Sequence, residues 1–304
     1  MLSPTPVLLR RALPLSLAVL TACSGQAGRN LFLAIYGNDD RREAALVTDP
    51  ATVSRARATV GILPRSLLQP QADGSYTYRT RHSTPGARPF CEGERFADQP
   101  QLPGCTGVLV GPDLILTAGH CVDLAPLCNP QHDCAASQNV CPLLAFAFDW
   151  AVDPTTGQVP ERFQENQIAF CSQVIAGERD PVRHIDWALI RTDRFITDRT
   201  PAPLAGPTEI PTEGTPVVQI SHVMGWPLKV LGGAEIMRVD DEHTLSSNTD
   251  TYNGSSGGPL FNARTGRLIG ILEGGARDFD IDHSQVTSCN RSHQCTALNP
   301  CRGE

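Results

Sequence analysis

Apolar residues along this chain come in short runs broken by Gly, Pro and Asp, the pattern of hairpin-sized strands. The runs are Ala58 to Leu63, Thr106 to Leu109, Leu114 to Thr117, Leu143 to Phe148, Gln167 to Phe170, Trp187 to Arg191, Pro216 to Ser221, Ala234 to Val239 and Leu268 to Leu272. Gly111-Pro112-Asp113 marks a tight turn between the second and third. No run between them has helical period and length, which excludes an alternating strand–helix fold and predicts an all-β protein. Residues 64–90, rich in Pro, Gln, Gly and Arg, read as a long excursion. Residues 122–142 carry three cysteines and little periodicity, and read as a disulfide-held insertion. The proline-rich stretch Thr200 to Pro211 is the candidate interlobe linker.

Composition refines this picture in three places. With 304 residues, 40% of them hydrophobic, the chain is long enough for one large core or two lobes. A formal charge of −7 leaves no basic footprint, so nucleic acid is excluded as an expected partner. The N-terminus has the form of an export signal, with Arg10 and Arg11 ahead of the apolar stretch Ala12 to Leu20. That stretch runs into Leu20-Thr21-Ala22-Cys23, which resembles the bacterial lipobox and predicts a lipid anchor on Cys23. The expected location is the cell envelope of a bacterium. Lipidation of Cys23 turns the odd total of eleven cysteines into an even set of ten for disulfides, and the absence of C-x-x-C spacing argues against structural zinc.

Two motifs carry chemistry. Thr117-Ala118-Gly119-His120-Cys121 follows Cys105 across a predicted hairpin, and Asn253-Gly254-Ser255-Ser256-Gly257-Gly258-Pro259 sets a serine among glycines. Such glycines permit a strained turn that exposes a hydroxyl and admits another backbone closely. A third segment, Asp186-Trp187-Ala188-Leu189-Ile190, opens an apolar strand with an acid; Asp180 and Asp193 are its competitors.

Together these segments resemble the trypsin-like, chymotrypsin-fold serine peptidases, over about Cys91 to Gly275. The resemblance implies two antiparallel Greek-key six-stranded β-barrels, a disulfide between Cys105 and Cys121, and a triad of His120 as base, Asp186 as its orienting acid and Ser256 as nucleophile. It also implies an oxyanion hole from the amides of Gly254 and Ser256 and a substrate pocket formed by Asp250, Thr251, Leu272 and Gly274. The chain order His, Asp, Ser is that of the chymotrypsin-like enzymes. The implied organisation is a signal peptide over 1–22, a tether or pro-segment over 23–55, lobes over 56–205 and 206–288, and a cysteine-rich tail over 289–304.

Ser255 departs from the zymogen-activated branch, where an aspartate precedes the nucleophile and pairs with a new N-terminus. With the stretch Asp250 to Asn262 and Gly37-Asn38-Asp39-Asp40-Arg41-Arg42-Glu43, it brings the chain closer to the bacterial V8-like, glutamyl-endopeptidase-like branch. Leu272 stands where glutamate-specific relatives carry a histidine, and Glu273 adds negative potential. Cleavage after Arg or Lys, with Asp250 on the pocket floor, is the expected specificity, and a small or apolar residue is the competing one. His222 and His184 are expected to be a core or turn residue and a loop residue. The Asn38-Asp39-Asp40 cluster reads as a solvated acidic turn, and no metal or cofactor is expected. Protein or peptide substrates, a membrane reached through Cys23 and a monomeric chain complete the expected partners. A catalytically idle homologue serving as a surface binding or adhesion module is the alternative of a different class.

Overall fold

The computed structural model describes residues 34–122, 140–241, 244–275, 277–284 and 286–295. Cys23, Cys128, Cys134 and Cys301 lie outside the described residues, as does most of the predicted insertion.

The first lobe is a closed antiparallel barrel of six strands. Around the barrel run Ile168–Asp180, Ile185–Thr192, Leu114–Thr117, Cys105–Gly111, Thr59–Pro64 and Leu144–Phe148, which closes back onto Ile168–Asp180. The predicted turn at Pro112-Asp113 joins two of these strands, with Leu109 opposite Ile115. The strand Leu144–Phe148 is buried along its whole length. Its Phe146 and Phe148 fill the barrel core with Val60, Ile62, Val108 and Ile190. Ala145 and Ala147 face outward, beneath Leu63, Leu102, Trp150 and Phe163. Two covered faces explain why this run reads as continuously apolar rather than alternating. Part of that outer cover comes from the excursion, which folds as a small sheet of Leu68–Pro70, Tyr76–Tyr78 and Arg162–Phe163.

The second lobe is a six-stranded antiparallel sheet. Its path is Leu245–Ser247, Lys229–Val239, Pro216–Ser221, Pro259–Asn262 and Leu268–Ile271, with Arg41–Glu43 also pairing with Lys229–Val239. Two predicted strands are longer in the structure, because hydrogen bonding continues past the polar and glycine positions that interrupt the apolar runs: Gln167 to Phe170 becomes Ile168–Asp180, and Ala234 to Val239 becomes Lys229–Val239.

The polar N-terminal stretch was expected to lie outside both lobes, yet it is built into the fold. Ile35–Tyr36 pairs in parallel with Gln294–Cys295. Arg41–Glu43 joins the second lobe, and a short helix, Pro50–Ala58, capped by the Asp49 carboxylate on the Thr52 amide, leads into the first. Arg41 is only 1% exposed. Asp39 pairs with it at 2.6 Å, and the ring of Tyr252 lies 4.4 Å beneath its guanidinium. Asn38 and Asp40 are exposed, as a solvated turn requires, whereas Asp39 is half-buried and paired with the buried Arg41. The partners of this turn are Arg41 and Arg95 for the Asp39 carboxylate and Asp250 for the Asp40 amide.

Candidate active site

Cys105 and Cys121 are joined by a disulfide of 2.02 Å, as the family resemblance implied. It staples the short turn Gly119–Val122 to the start of the strand Cys105–Gly111, and closing a loop of this size contributes about 3 kcal/mol. His120 sits on that turn. Its Nδ1 lies 2.5 Å from Asp186 Oδ2, and its backbone amide donates to Asp186 Oδ1 at 2.9 Å. One carboxylate thus holds both the ring and the main chain of the histidine. Asp186 is 8% exposed and His120 is 31% exposed, so the acid is shielded while the base faces the cleft. Asp180 and Asp193 are occupied elsewhere, capping the turn at Val182 and accepting from the Phe170 amide.

Ser256 is brought to the same place by the backbone around it. The Thr106 amide donates to Ser256 O at 2.8 Å, and Thr106 Oγ1 donates to Gly254 O at 2.9 Å. Thr106 is fully buried next to Cys105, so a first-lobe residue pins the second-lobe loop on both sides of Ser255. Sequence reading missed this threonine, whose only signal was its position beside the stapled cysteine. Gly257 must be glycine: φ is +78°, and a Cβ would stand 2.1 Å from Thr117 Oγ1 and 2.2 Å from Thr106 O. Gly254, with φ +91°, is held as tightly, since a Cβ would lie 2.6 Å from His222 O.

Within this loop the Ser255 amide donates to Tyr252 O at 3.0 Å. Among the described residues the amides of Gly254 and Ser256 donate to no protein group, which leaves both available to an incoming oxygen. Among the same residues, hydrogen bonds join His120 to Asp186 but do not join His120 to Ser256. Ser255 is fully buried and accepts from Ser221 Oγ at 3.1 Å.

The residues expected to form the substrate pocket are placed differently. Asp250 is 3% exposed, and its two oxygens accept from the amides of Tyr36 at 2.8 Å and Asp40 at 2.7 Å. Its carboxylate is directed at the N-terminal segment instead of at an open pocket floor, a correction that only long-range packing reveals. Burial pushes its pKa up to about 6, against the two amide hydrogen bonds, which pull it down. Thr251 is fully buried beside it. Leu272 exchanges backbone hydrogen bonds with the residues after Ser256, accepting from Gly257 at 2.7 Å and donating to Gly258 at 3.0 Å. Gly274 follows in a segment without a strand partner among the described residues.

A cavity of about 350 Å³ opens beside Gly254, lined also by Asn253, Met224, Pro103, Arg81 and Asp278. Asp278 accepts from the Asn253 amide at 3.2 Å, and burial pushes its pKa up to about 7. No motif signalled Asp278. His222 is the expected core histidine: its amide donates to Thr106 Oγ1, its Nδ1 lies 3.1 Å from Trp226 O, and burial pushes its pKa down to about 3. His184 lies in a turn with φ +55°.

A closed first barrel, a second antiparallel sheet and a stapled His–Asp pair facing a glycine-rich serine loop define the chymotrypsin-like class of fold. Residues 105–271, more than half of the chain, match the trypsin-like peptidase domain, and the protein belongs to that family. In sequence, no curated protein matches it significantly. Among solved structures it is similar to a serine endoprotease from Yersinia pestis, with 18% identity over 75% of this chain and 58% of that one, at a TM-score of 0.42. It is also similar to a Glu endopeptidase, with 16% identity over 85% of this chain and 94% of that one, at 0.45. The VesB protease of Vibrio cholerae shares 12% identity over 84% of this chain and 64% of that one, at 0.46. The chain therefore spans less than two thirds of the Yersinia and Vibrio proteins.

Proposed function

We propose that this protein is an exported serine endopeptidase that cleaves by an acyl-enzyme mechanism with His120, Asp186 and Ser256 as its triad. The observation that carries the reading is the double hold of Asp186 on His120, ring and main chain, on the segment against which the Ser256 loop is docked. A carboxylate on Nδ1 leaves Nε2 as the basic nitrogen and stabilises the imidazolium once Nε2 is protonated. Ser256 Oγ attacks the peptide carbonyl as its proton passes to Nε2, and the same proton then goes to the leaving amine. Water repeats the sequence on the ester. The oxygen that becomes negative is received by the Gly254 and Ser256 amides, each worth about 3 to 4 kcal/mol in such sites.

The shape of the loop supports a bacterial V8-like relationship, since Ser255 is a neutral hydroxyl paired with Ser221 where the zymogen-activated branch uses an acid. In the working organisation, lobes 56–205 and 206–288 form the catalytic unit, with Thr251, Leu272 and Gly274 near the first acyl-side residue. Export and anchoring through Cys23 rest on Leu20-Thr21-Ala22-Cys23. Labelling by a fluorophosphonate tests the chemistry: wild type labels and Ser256→Ala does not. A pure, folded wild type that neither labels nor cleaves any member of a peptide library overturns the reading. For the anchor, Cys23→Ala should move the protein from the membrane to the soluble fraction.

A further inference from the structure

We propose that Glu273 selects the substrate, binding a lysine or arginine side chain at the second residue before the scissile bond; the inference rests on the peptidase reading above. Leu272 is 8% exposed and bonded through its backbone to Gly257 and Gly258, immediately after Ser256. Glu273, the next residue, turns to the opposite side and crosses the cleft toward the first lobe. There its Oε1 lies 4.0 Å from His184 Nδ1, with Asp186, His120 and Arg179 as its further electrostatic neighbours.

The second carboxylate beside the triad is thus in a different state from the first. Asp186 is shielded and holds His120 through both oxygens. Glu273 is 34% exposed, and among the described residues its carboxylate accepts no hydrogen bond. Burial and the neighbouring charge of Asp186 push its pKa up against the opposing pull of His184, His120 and Arg179, so the ionised form is only partly compensated in this position. A cation delivered with the substrate supplies that compensation, whereas a neutral or acidic side chain does not.

The position of the cation follows from strand geometry. Residues 273–275 have no strand partner among the described residues, leaving backbone on which an extended substrate can pair. Side chains alternate along such a strand, so if the first acyl-side residue lies on the Leu272 and Gly274 side, the second lies on the Glu273 side. His184 occupies that side when the cleft is empty. It sits at φ +55°, a left-handed turn conformation uncommon for non-glycine residues. The arriving cation displaces its imidazole from Glu273.

The test uses the full-length enzyme, first shown to label with a fluorophosphonate, and paired peptides that differ only in Lys against norleucine at the second acyl-side position. Wild type should favour Lys by at least about tenfold in kcat/KM, the equivalent of about 1.4 kcal/mol. Glu273→Gln should bring the ratio close to one, Glu273→Asp should retain part of it, and Glu273→Lys should favour Glu at the same position. A wild-type ratio near one, or an unchanged ratio in Glu273→Gln, overturns the inference while leaving the peptidase reading intact. A Glu273→Gln variant that lowers both substrates equally also overturns it, since that result makes Glu273 an electrostatic support of His120. Failure of the wild type to label overturns the peptidase reading and the inference with it.

Discussion

Asp250 Oδ1 accepts a hydrogen bond of 2.8 Å from the backbone amide of Tyr36, 214 residues earlier in the chain. The other oxygen accepts from Asp40, so the loop that leads to Ser256 is tied to the N-terminal segment at two points. Asp250→Ser removes the charged acceptor from two partly buried hydrogen bonds, a loss of about 2 kcal/mol. The expected outcome is a lower midpoint in chemical denaturation with an unchanged cleavage profile. A variant of wild-type stability that no longer cleaves after basic residues would return Asp250 to the pocket. By the same logic, a chain beginning after Glu43 should not refold to an active state.

Asp186→Asn keeps the size of the side chain while removing its charge and offering a donor in place of one acceptor. The ring of His120 then loses the tautomer that leaves Nε2 basic. A fall in kcat of about four orders of magnitude is expected, at nearly unchanged melting temperature. A fall of tenfold or less would transfer the orienting role to another acid.

Ser255 is fully buried against Ser221, which makes it a packing residue beside the nucleophile. Ser255→Ala should cost about 1 kcal/mol and retain activity. Ser255→Asp buries a carboxylate in that space and should destabilise the fold by several kcal/mol, roughly the cost of an uncompensated buried charge. Gain of activity in Ser255→Asp would reveal an activation ion pair.

Asp278 gives stability a pH dependence whose sign is defined. Its pKa is about 7 in the fold, raised chiefly by burial, against about 4 in an unfolded chain. Between these values the folded protein holds the additional proton, so this contribution is fully present below about pH 4 and is lost as pH rises through about 7. His222 acts in the opposite direction: with its pKa depressed to about 3, its contribution is present above about pH 6.5 and is lost as pH falls. Comparison with Asp278→Asn isolates the first effect, because Asn still accepts from the Asn253 amide. Melting temperatures should favour the variant at pH 8, and the advantage should shrink or reverse toward pH 4. A constant difference between the two proteins across that range would remove Asp278 as the cause.

Cys91 and Cys289 form a disulfide across 198 residues and tie the excursion to the C-terminal strand pair. Closing so long a loop contributes about 5 kcal/mol in the chain-entropy model. Cys91→Ser with Cys289→Ser should therefore lower stability by several kcal/mol. Loss of less than about 1 kcal/mol in denaturant titration would mean that the aromatic cluster of Phe90, Trp226 and Phe279 holds this region unaided.

By itself the sequence determined the class of fold, the Cys105–Cys121 staple through family resemblance, and the segments whose His120 and Asp186 pair and whose Ser256 loop docks on Thr106. These were legible because their signals are local: strand periodicity is a nearest-neighbour property, and a glycine beside a serine records a backbone turn. Only the tertiary structure decided what Asp250 faces, that Arg41 is buried over the ring of Tyr252, that Thr106 joins the lobes, and that Glu273 reaches His184. Each of these is a contact between residues far apart in the chain. Whether a charged side chain lies in water or in the core depends on the partner that meets it. For Asp250 that partner is a pair of backbone amides, which carry no signature in the amino-acid sequence.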